Sequence, residues 1–391
     1  MANKITKQPE IRFKEFNNDW EQRKLGEEVE SIGTGKSKFI TGKKKSLENP
    51  YPVLGSTSVI SYDAEFDNSG DFILTARVGA NAGNLYTYSG NVKISDNTVY
   101  IKSKNLYFIY YLLLKFNLKQ LAFGTGQPLV KSSELKQLRL MFSNGIKEQQ
   151  KIGSFFKQLD DTIALQDCKL EEMQLYKKAM LQKMFPKNGE KAPEIRFDGY
   201  NDDWEQRKLK DVSERVRGND GRMDLPTLTI SAGSGWLDQR ERFSGNIAGK
   251  EQKNYTLLSK GEISYNHGNS KLAKYGAVFV LRTFEEALVP RVYHSFKTNE
   301  KASADFIEYM FATKIPDREL GKLISSGARM DGLLNINYDD FMGIKINIPS
   351  IEEQERISAF LRQLDDTIAL QNNKLNKLKE MKKALLQKMF V

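Results

Sequence analysis

The 391-residue sequence holds one cysteine, Cys168, and two histidines, His267 and His294. A single thiol cannot close an internal disulfide, which points to a reducing cytoplasm. Neither histidine has a cysteine or a second histidine at ligand spacing, so neither a zinc site nor a Cys/His nucleophile pair is expected. No apolar run approaches the roughly 18 residues that a membrane helix needs. Nothing near Met1 combines a positive start with the apolar segment of a secretory signal.

Hydrophobic residues make up 39% and charged residues 28% of the chain, the balance of a soluble globular protein. The length predicts two or three domains, with two as the starting expectation. Lys and Arg total 60 against 50 Asp and Glu, a formal charge of +10 that favours a polyanionic partner such as nucleic acid.

Self-similarity is the most informative feature, because a repeat constrains architecture before any helix or strand is assigned. PEIRFKEFNNDWEQRKL at 9–25 returns as PEIRFDGYNDDWEQRKL at 193–209, with 13 of 17 positions identical. A second segment, 148–185, returns at 353–390; both copies contain QLDDTIALQ and close on LQKMF. The heads are offset by 184 residues and the tails by 205, while the stretches between them, 26–147 and 210–352, hardly resemble each other. A duplicated frame carrying two divergent inserts fits one structural job done twice and two different recognition tasks.

In the tails, apolar residues at 152, 156, 159, 163, 170, 173, 180 and 184 follow the three-and-four spacing of a helical seam. The second seam is Ile357, Leu361, Leu364, Ile368, Leu375, Leu378, Leu385 and Met389. A 38-residue helix extends about 57 Å at 1.5 Å per residue and needs a partner for its stripe. Near-identity of the two surfaces favours antiparallel pairing about a pseudo-twofold axis. Leu159, Ile163, Leu170, Leu364, Ile368, Leu375 and Leu378 would form the seam, with Gln166 and Gln371 setting register. Adjacent helical residues point about 100° apart, so Asp160, Asp161, Asp365 and Asp366 are read as a solvated face rather than a catalytic or metal pair.

Enzyme signatures fail on spacing. Gly33-Thr34-Gly35-Lys36-Ser37 resembles the end of a phosphate-binding loop, but Glu30 stands where its first glycine belongs. Asn49-Pro50-Tyr51-Pro52 is a scrambled form of the adenine methyltransferase turn. Pro316-Asp317 with Glu319 and Lys322 has the wrong interval for a nuclease centre.

This layout resembles the specificity subunit of type I restriction-modification enzymes over essentially the whole chain. The most specific marks are Gly145-Ile146-Lys147-Glu148-Gln149 and Ile348-Pro349-Ser350-Ile351-Glu352-Glu353-Gln354, similar to the family's junction from recognition domain into helix. The first copy departs by lacking the proline. The resemblance implies an α+β fold: two globular target-recognition domains separated by a pair of long antiparallel helices, a coiled coil with a pseudo-twofold internal repeat. Recognition domains are expected at 1–147 and 193–352, a helix and linker at 148–192, and the second helix at 353–391. Each domain would read one half of a split double-stranded DNA site, with the helix pair as a ruler. Two methylation subunits carrying S-adenosylmethionine, and restriction/translocase subunits using ATP and Mg, are the implied partners. None of those cofactors should bind this chain, which would be non-catalytic. A coiled-coil adaptor joining two proteins, its charge incidental, is the rival reading.

Phosphate neutralisation needs flexible cations, and Lys36, Lys38, Lys43, Lys44 and Lys45 cluster in the first insert, with Lys131 later. Paired donors and acceptors for base edges are offered by Arg77 and Asn81 in TARVGANAG, and by Thr125 and Gln127 in the loop 124–128. The second insert offers Asn266, Asn269, Ser270 and Lys271, and Arg329 in the matching loop 326–329.

Overall fold

The computed structural model describes residues 7–122, 128–187, 189–243, 249–324 and 333–391. The chain divides into two compact units, Met1–Cys168 with Asn372–Val391, and Lys169–Gln371. Both divisions fall inside long helices, Ile146–Lys183 and Ile351–Lys388, so each unit holds the start of one tail helix and the end of the other.

In the first unit the strands are β1 (Glu21–Lys24), β2 (Ser31–Thr34), β3 (Tyr51–Leu54), β4 (Val59–Asp63), β5 (Asn68–Ala76), β6 (Leu85–Ile94), β7 (Thr98–Lys102) and β8 (Arg139–Phe142). Six of them form a sheet in the order β2-β7-β5-β6-β3-β4, parallel only between β3 and β6. Strand side chains alternate between faces, and β5 is covered on both. Ile73 packs with the helix Leu106–Phe116, whereas Phe72 and Leu74 pack with Leu54, Val92 and Ile94. The repeated head contributes β1, which pairs antiparallel with β8 immediately before the first tail helix.

The second unit has β9 (Glu205–Lys208), β10 (Ser213–Arg215), β11 (Leu228–Ser231), β12 (Gly235–Asp238), β13 (Thr256–Ser259), β14 (Ile263–Asn266), β15 (Ala277–Val280), β16 (Glu286–Val289), β17 (His294–Thr298) and β18 (Lys345–Ile348). Its sheet runs β10-β17-β14-β15, the same sequential pattern as β2-β7-β5-β6, and β9 pairs with β18 as β1 does with β8. The helix Ala304–Ala312 takes the place of Leu106–Phe116. Two inserts with no visible sequence likeness therefore share one strand plan. Buried alternation and an amphipathic helix can be met by many apolar sequences of suitable volume.

The frame is joined the same way twice. Arg12 makes two hydrogen bonds to Glu148, at 2.6 and 2.8 Å, and Arg196 makes two to Glu353, both at 2.7 Å. Both carboxylates are buried at the start of a tail helix. Trp20 packs on Phe390 and Phe108, while Trp204 packs on Phe185 and Phe306. The backbone N–H of Ile11 donates to Lys388 and that of Ile195 to Lys183. LQKMF is repeated because its phenylalanine closes a unit's core around the head tryptophan.

Antiparallel pairing is visible inside each unit. In the first, Asp160 pairs with Lys382 and Asp167 with Lys379, so numbers rise along one helix as they fall along the other. In the second, Lys177 pairs with Asp365. Asp160 and Asp365 also accept hydrogen bonds from Tyr111 and Tyr309, at 2.7 and 2.8 Å. Burial first, then the neighbouring aspartate, pushes both phenols well above their usual range, so they stay donors. The expectation of four solvated aspartates is thus corrected for these two. They join tail helix to module helix, while Asp161 stays exposed and pairs with Lys157. Gly153 permits close approach of the first tail helix: a Cβ there would lie 2.7 Å from the Phe108 backbone nitrogen.

Removing Arg12 leaves the Glu148 carboxylate, 2% exposed, without its bidentate cation. Arg12→Ala is expected to destabilise the first unit by about 3 kcal/mol. Glu15→Ala, which breaks the exposed pair with Lys151, should cost far less. Urea denaturation of the three chains compares them, and equal costs would show that the head does not latch through this pair.

Candidate nucleic-acid interface

In the first unit, β7 begins between two segments rich in candidate contacts. The Gly35 N–H donates to the Thr98 carbonyl on one side and the Arg77 N–H to the Asn97 carbonyl on the other. Lys36 therefore leaves the sheet beside Arg77. The glycines that mimicked a phosphate loop have a packing reason: a Cβ on Gly33 would strike the Tyr100 ring, and one on Gly35 the Ile94 and Ser95 carbonyls. Lys36, Lys38, Lys44 and Lys45 are exposed, whereas Lys43 is half-buried and donates to Asn49 Oδ1 at 3.3 Å.

The TARVGANAG segment is a built loop. Thr75 Oγ1 accepts from the Gly83 N–H, and the Ala82 N–H donates to Gly79, whose φ of +87° suits glycine. Val78 bridges Leu129, and the Val130 N–H donates to the Arg77 carbonyl. Arg77, Asn81 and Lys131 are thus brought together at one end of the sheet, their side chains exposed. Lys131 makes an exposed pair with Glu134, and Asn81 Oδ1 accepts from Asn84. Thr125 and Gln127 lie outside the described residues.

The second unit repeats the arrangement. The loop after β14 is bridged at Gly268 to Leu333, and the Leu334 N–H donates to the His267 carbonyl. Asn269, Ser270 and Lys271 are exposed on it. Asn266 is half-buried, donating to the Ile230 carbonyl at 3.3 Å and accepting from the Gly268 N–H, so its amide holds the loop. Arg329 lies outside the described residues.

The two histidines, distant in sequence, meet in space with ring centroids 4.9 Å apart. Nδ1 of His267 donates to the Leu334 carbonyl and Nε2 of His294 to that of Ile336. They pin the segment that follows residues 325–332 to the sheet. Among the described residues, no group of three or more His, Cys, Asp or Glu side chains can hold a metal.

Of the expected helix-pairing residues, Leu159, Leu170 and Leu375 are buried, and Ile163, Gln166, Leu364, Ile368, Gln371 and Leu378 are half-buried. Leu165, Leu175 and Leu370, off the seam, are exposed. Sequence reading missed the Arg12–Glu148 latch and the Tyr111–Asp160 contact. The signal was present for the latch, since both of its residues recur in the repeated segments. No described helix is long and apolar enough to cross a membrane.

Two modules of one strand plan, each presenting unlike polar loops from the same sheet end and each locked to a repeated helical frame, define a duplicated recognition protein. The chain belongs to the family described as type I restriction modification DNA specificity domain, whose profile matches twice, at residues 17–175 and 201–380. It is similar to the type I restriction enzyme MjaVIII specificity subunit of Methanocaldococcus jannaschii, 23% identical over 96% of this chain and 94% of that protein. It is also similar to the EcoprrI specificity subunit of Escherichia coli, 25% identical over 38% of each chain. The crystal structure of a type I restriction-modification S subunit from M. genitalium shares the fold, with a TM-score of 0.63 and 16% identity over 98% of this chain and 99% of that one.

Burial above all pushes the His294 imidazole down to about 4; His267 and Arg215 act the same way, against the Ile336 carbonyl. The unfolded chain holds this proton near pH 6.5. Stability from the neutral ring is therefore complete above that value and declines as pH falls from about 6.5 towards about 4. Calorimetric melting of the full chain between pH 7 and pH 5 is expected to show the decline, and His294→Gln to flatten it. Identical slopes would mean that His294 titrates normally.

Proposed function

We propose that each unit reads one half of a bipartite double-stranded DNA target and that the paired tail helices set the interval between the halves. The observation that carries this reading is the common strand plan with unlike loops. One scaffold presents Arg77, Asn81 and Lys131 in the first unit and Asn269, Ser270 and Lys271 in the second, from the same end of the sheet. Loops on a rigid scaffold can change specificity without changing the fold. Base edges in the major groove are discriminated by side chains of these types, and exposed lysines such as Lys36, Lys38, Lys44 and Lys45 suit the phosphates.

The relatives are specificity subunits of restriction enzymes by name, which supports a role as the non-catalytic frame for two methylation subunits and for restriction/translocase subunits. On this reading the methyl donor, ATP and Mg belong to those partners, and the system's work is defence against foreign DNA.

Selection of the full chain against a random duplex library should return two short fixed blocks with a constant gap. Arg77→Ala is expected to relax preference in one block and Arg329→Ala in the other, each by about 1 to 3 kcal/mol if the contact is bidentate. Equal weakening on every sequence would mark a phosphate contact instead. One substitution that relaxed both blocks would sink the assignment of one unit to one half. The pure chain with duplex DNA, Mg and S-adenosylmethionine is expected to give neither methyl transfer nor strand cleavage, and either product would overturn the non-catalytic role.

A further inference from the structure

The second unit contains a cleft of about 470 Å³ whose walls carry four cations, Arg215, Arg217, Lys253 and Arg291, and no carboxylate. The acids next to it in sequence are engaged with other partners: Glu214 pairs with Lys297 at 3.1 Å, and Asp220 with Arg222 at 2.7 Å. Among the described residues, none of the four cations makes an ion pair. Arg215 is held instead by stacking on Tyr338, its guanidinium carbon 4.0 Å from the ring centre.

The walls are rigid, which makes the cleft a built site rather than a chance gathering of surface charge. The Val216 N–H donates to Ser295 and the Leu257 N–H to Gly218, so the segment after β10 is tied to β17 and β13. The hydroxyl of Tyr293 lies 3.0 Å from Thr229 Oγ1 and accepts from the Ile230 N–H at 3.2 Å. Four like charges held together by a fixed backbone repel one another, and an anion in the cleft offsets that repulsion. Guanidinium groups match the paired free oxygens of a phosphodiester, and Asn254 and Thr256 add neutral polar groups. A nucleoside base finds no stacking wall there, because Tyr293 is buried and its hydroxyl is engaged.

Position identifies the source of the phosphate. Arg215 lies opposite Phe296, and Tyr265 opposite His294, in the antiparallel ladders of β17. The cleft therefore opens at the sheet end from which the loop Asn266–Lys274 departs. In the first unit Lys36 and Arg77 leave the corresponding end. We propose that this cleft clamps a backbone phosphate of the DNA strand whose bases the adjoining loop reads. The assignment rests on the DNA-reading function proposed above.

The test uses the full chain, duplex DNA and a salt titration, with Arg217→Gln/Arg291→Gln against Arg217→Lys/Arg291→Lys. Each lost phosphate contact lowers the slope of log affinity against log salt by about 0.9. The glutamine pair removes the clamp on one phosphate and should therefore flatten the slope by about 0.9, and the lysine pair should keep it. Both arginines are exposed, so the melting temperature should not move. If the double variant unfolds, Arg291→Gln alone is read the same way, with a smaller flattening in the same direction. A steep wild-type slope that the glutamine pair leaves unchanged overturns the cleft assignment and spares the DNA-reading function. A wild-type chain that binds duplex without salt dependence, or not at all, overturns that function itself. Calorimetry with inorganic phosphate separates the remaining source. Saturable phosphate binding that the glutamine pair abolishes, with no change in the DNA slope, would make the cleft a small-anion site and reject the clamp.

Discussion

A 38-residue helix with one apolar stripe cannot stand alone in water, and the rest of the molecule follows from how that stripe is covered. Each unit sets the start of one tail helix antiparallel to the end of the other, and the remaining exposed side of the start is closed by the module's own helix. Helix pairing is thereby coupled to module folding. Tyr111 and Tyr309 reach Asp160 and Asp365 only if the module helix is seated, and the same aspartates hold Lys382 and Lys177 of the opposing tail.

The latch between head and helix start makes this coupling specific. Arg12 and Arg196 meet buried glutamates in two-point contacts, and removing either partner would strand a charge away from water. Beside each latch, a tryptophan of the head and a phenylalanine from the end of a tail share one core. This explains why the head and tail sequences repeat so closely while the inserts between them do not. The frame has one geometry to satisfy twice, whereas an insert needs only to supply buried alternation, a short helix and the strand that meets the head.

That division of labour is also the functional logic. The sheet end nearest the start of β7 or β17 collects loops whose backbones are bridged and capped but whose side chains are largely free: Arg77 and Asn81 in one unit, Asn269 and Lys271 in the other. The histidine pair holds the segment beside the second set without entering it. Side chains can diverge there at little cost to the core, as a specificity subunit requires.

Much of this was legible in the residues. The head and tail repeats, the three-and-four spacing of the seam and the break of each phosphate-loop or nuclease signature were enough to predict a duplicated, helix-joined reader, because periodicity and identity are properties of the chain itself. The spatial partnerships were not. That Asp160 faces a tyrosine while Asp161 faces water, that two histidines 27 positions apart touch, and that four cations scattered from Arg215 to Arg291 share one cleft all depend on strand register. Register brings together residues that no local pattern links, so only the folded sheet decided where charge is paired and where, among the described residues, it is not.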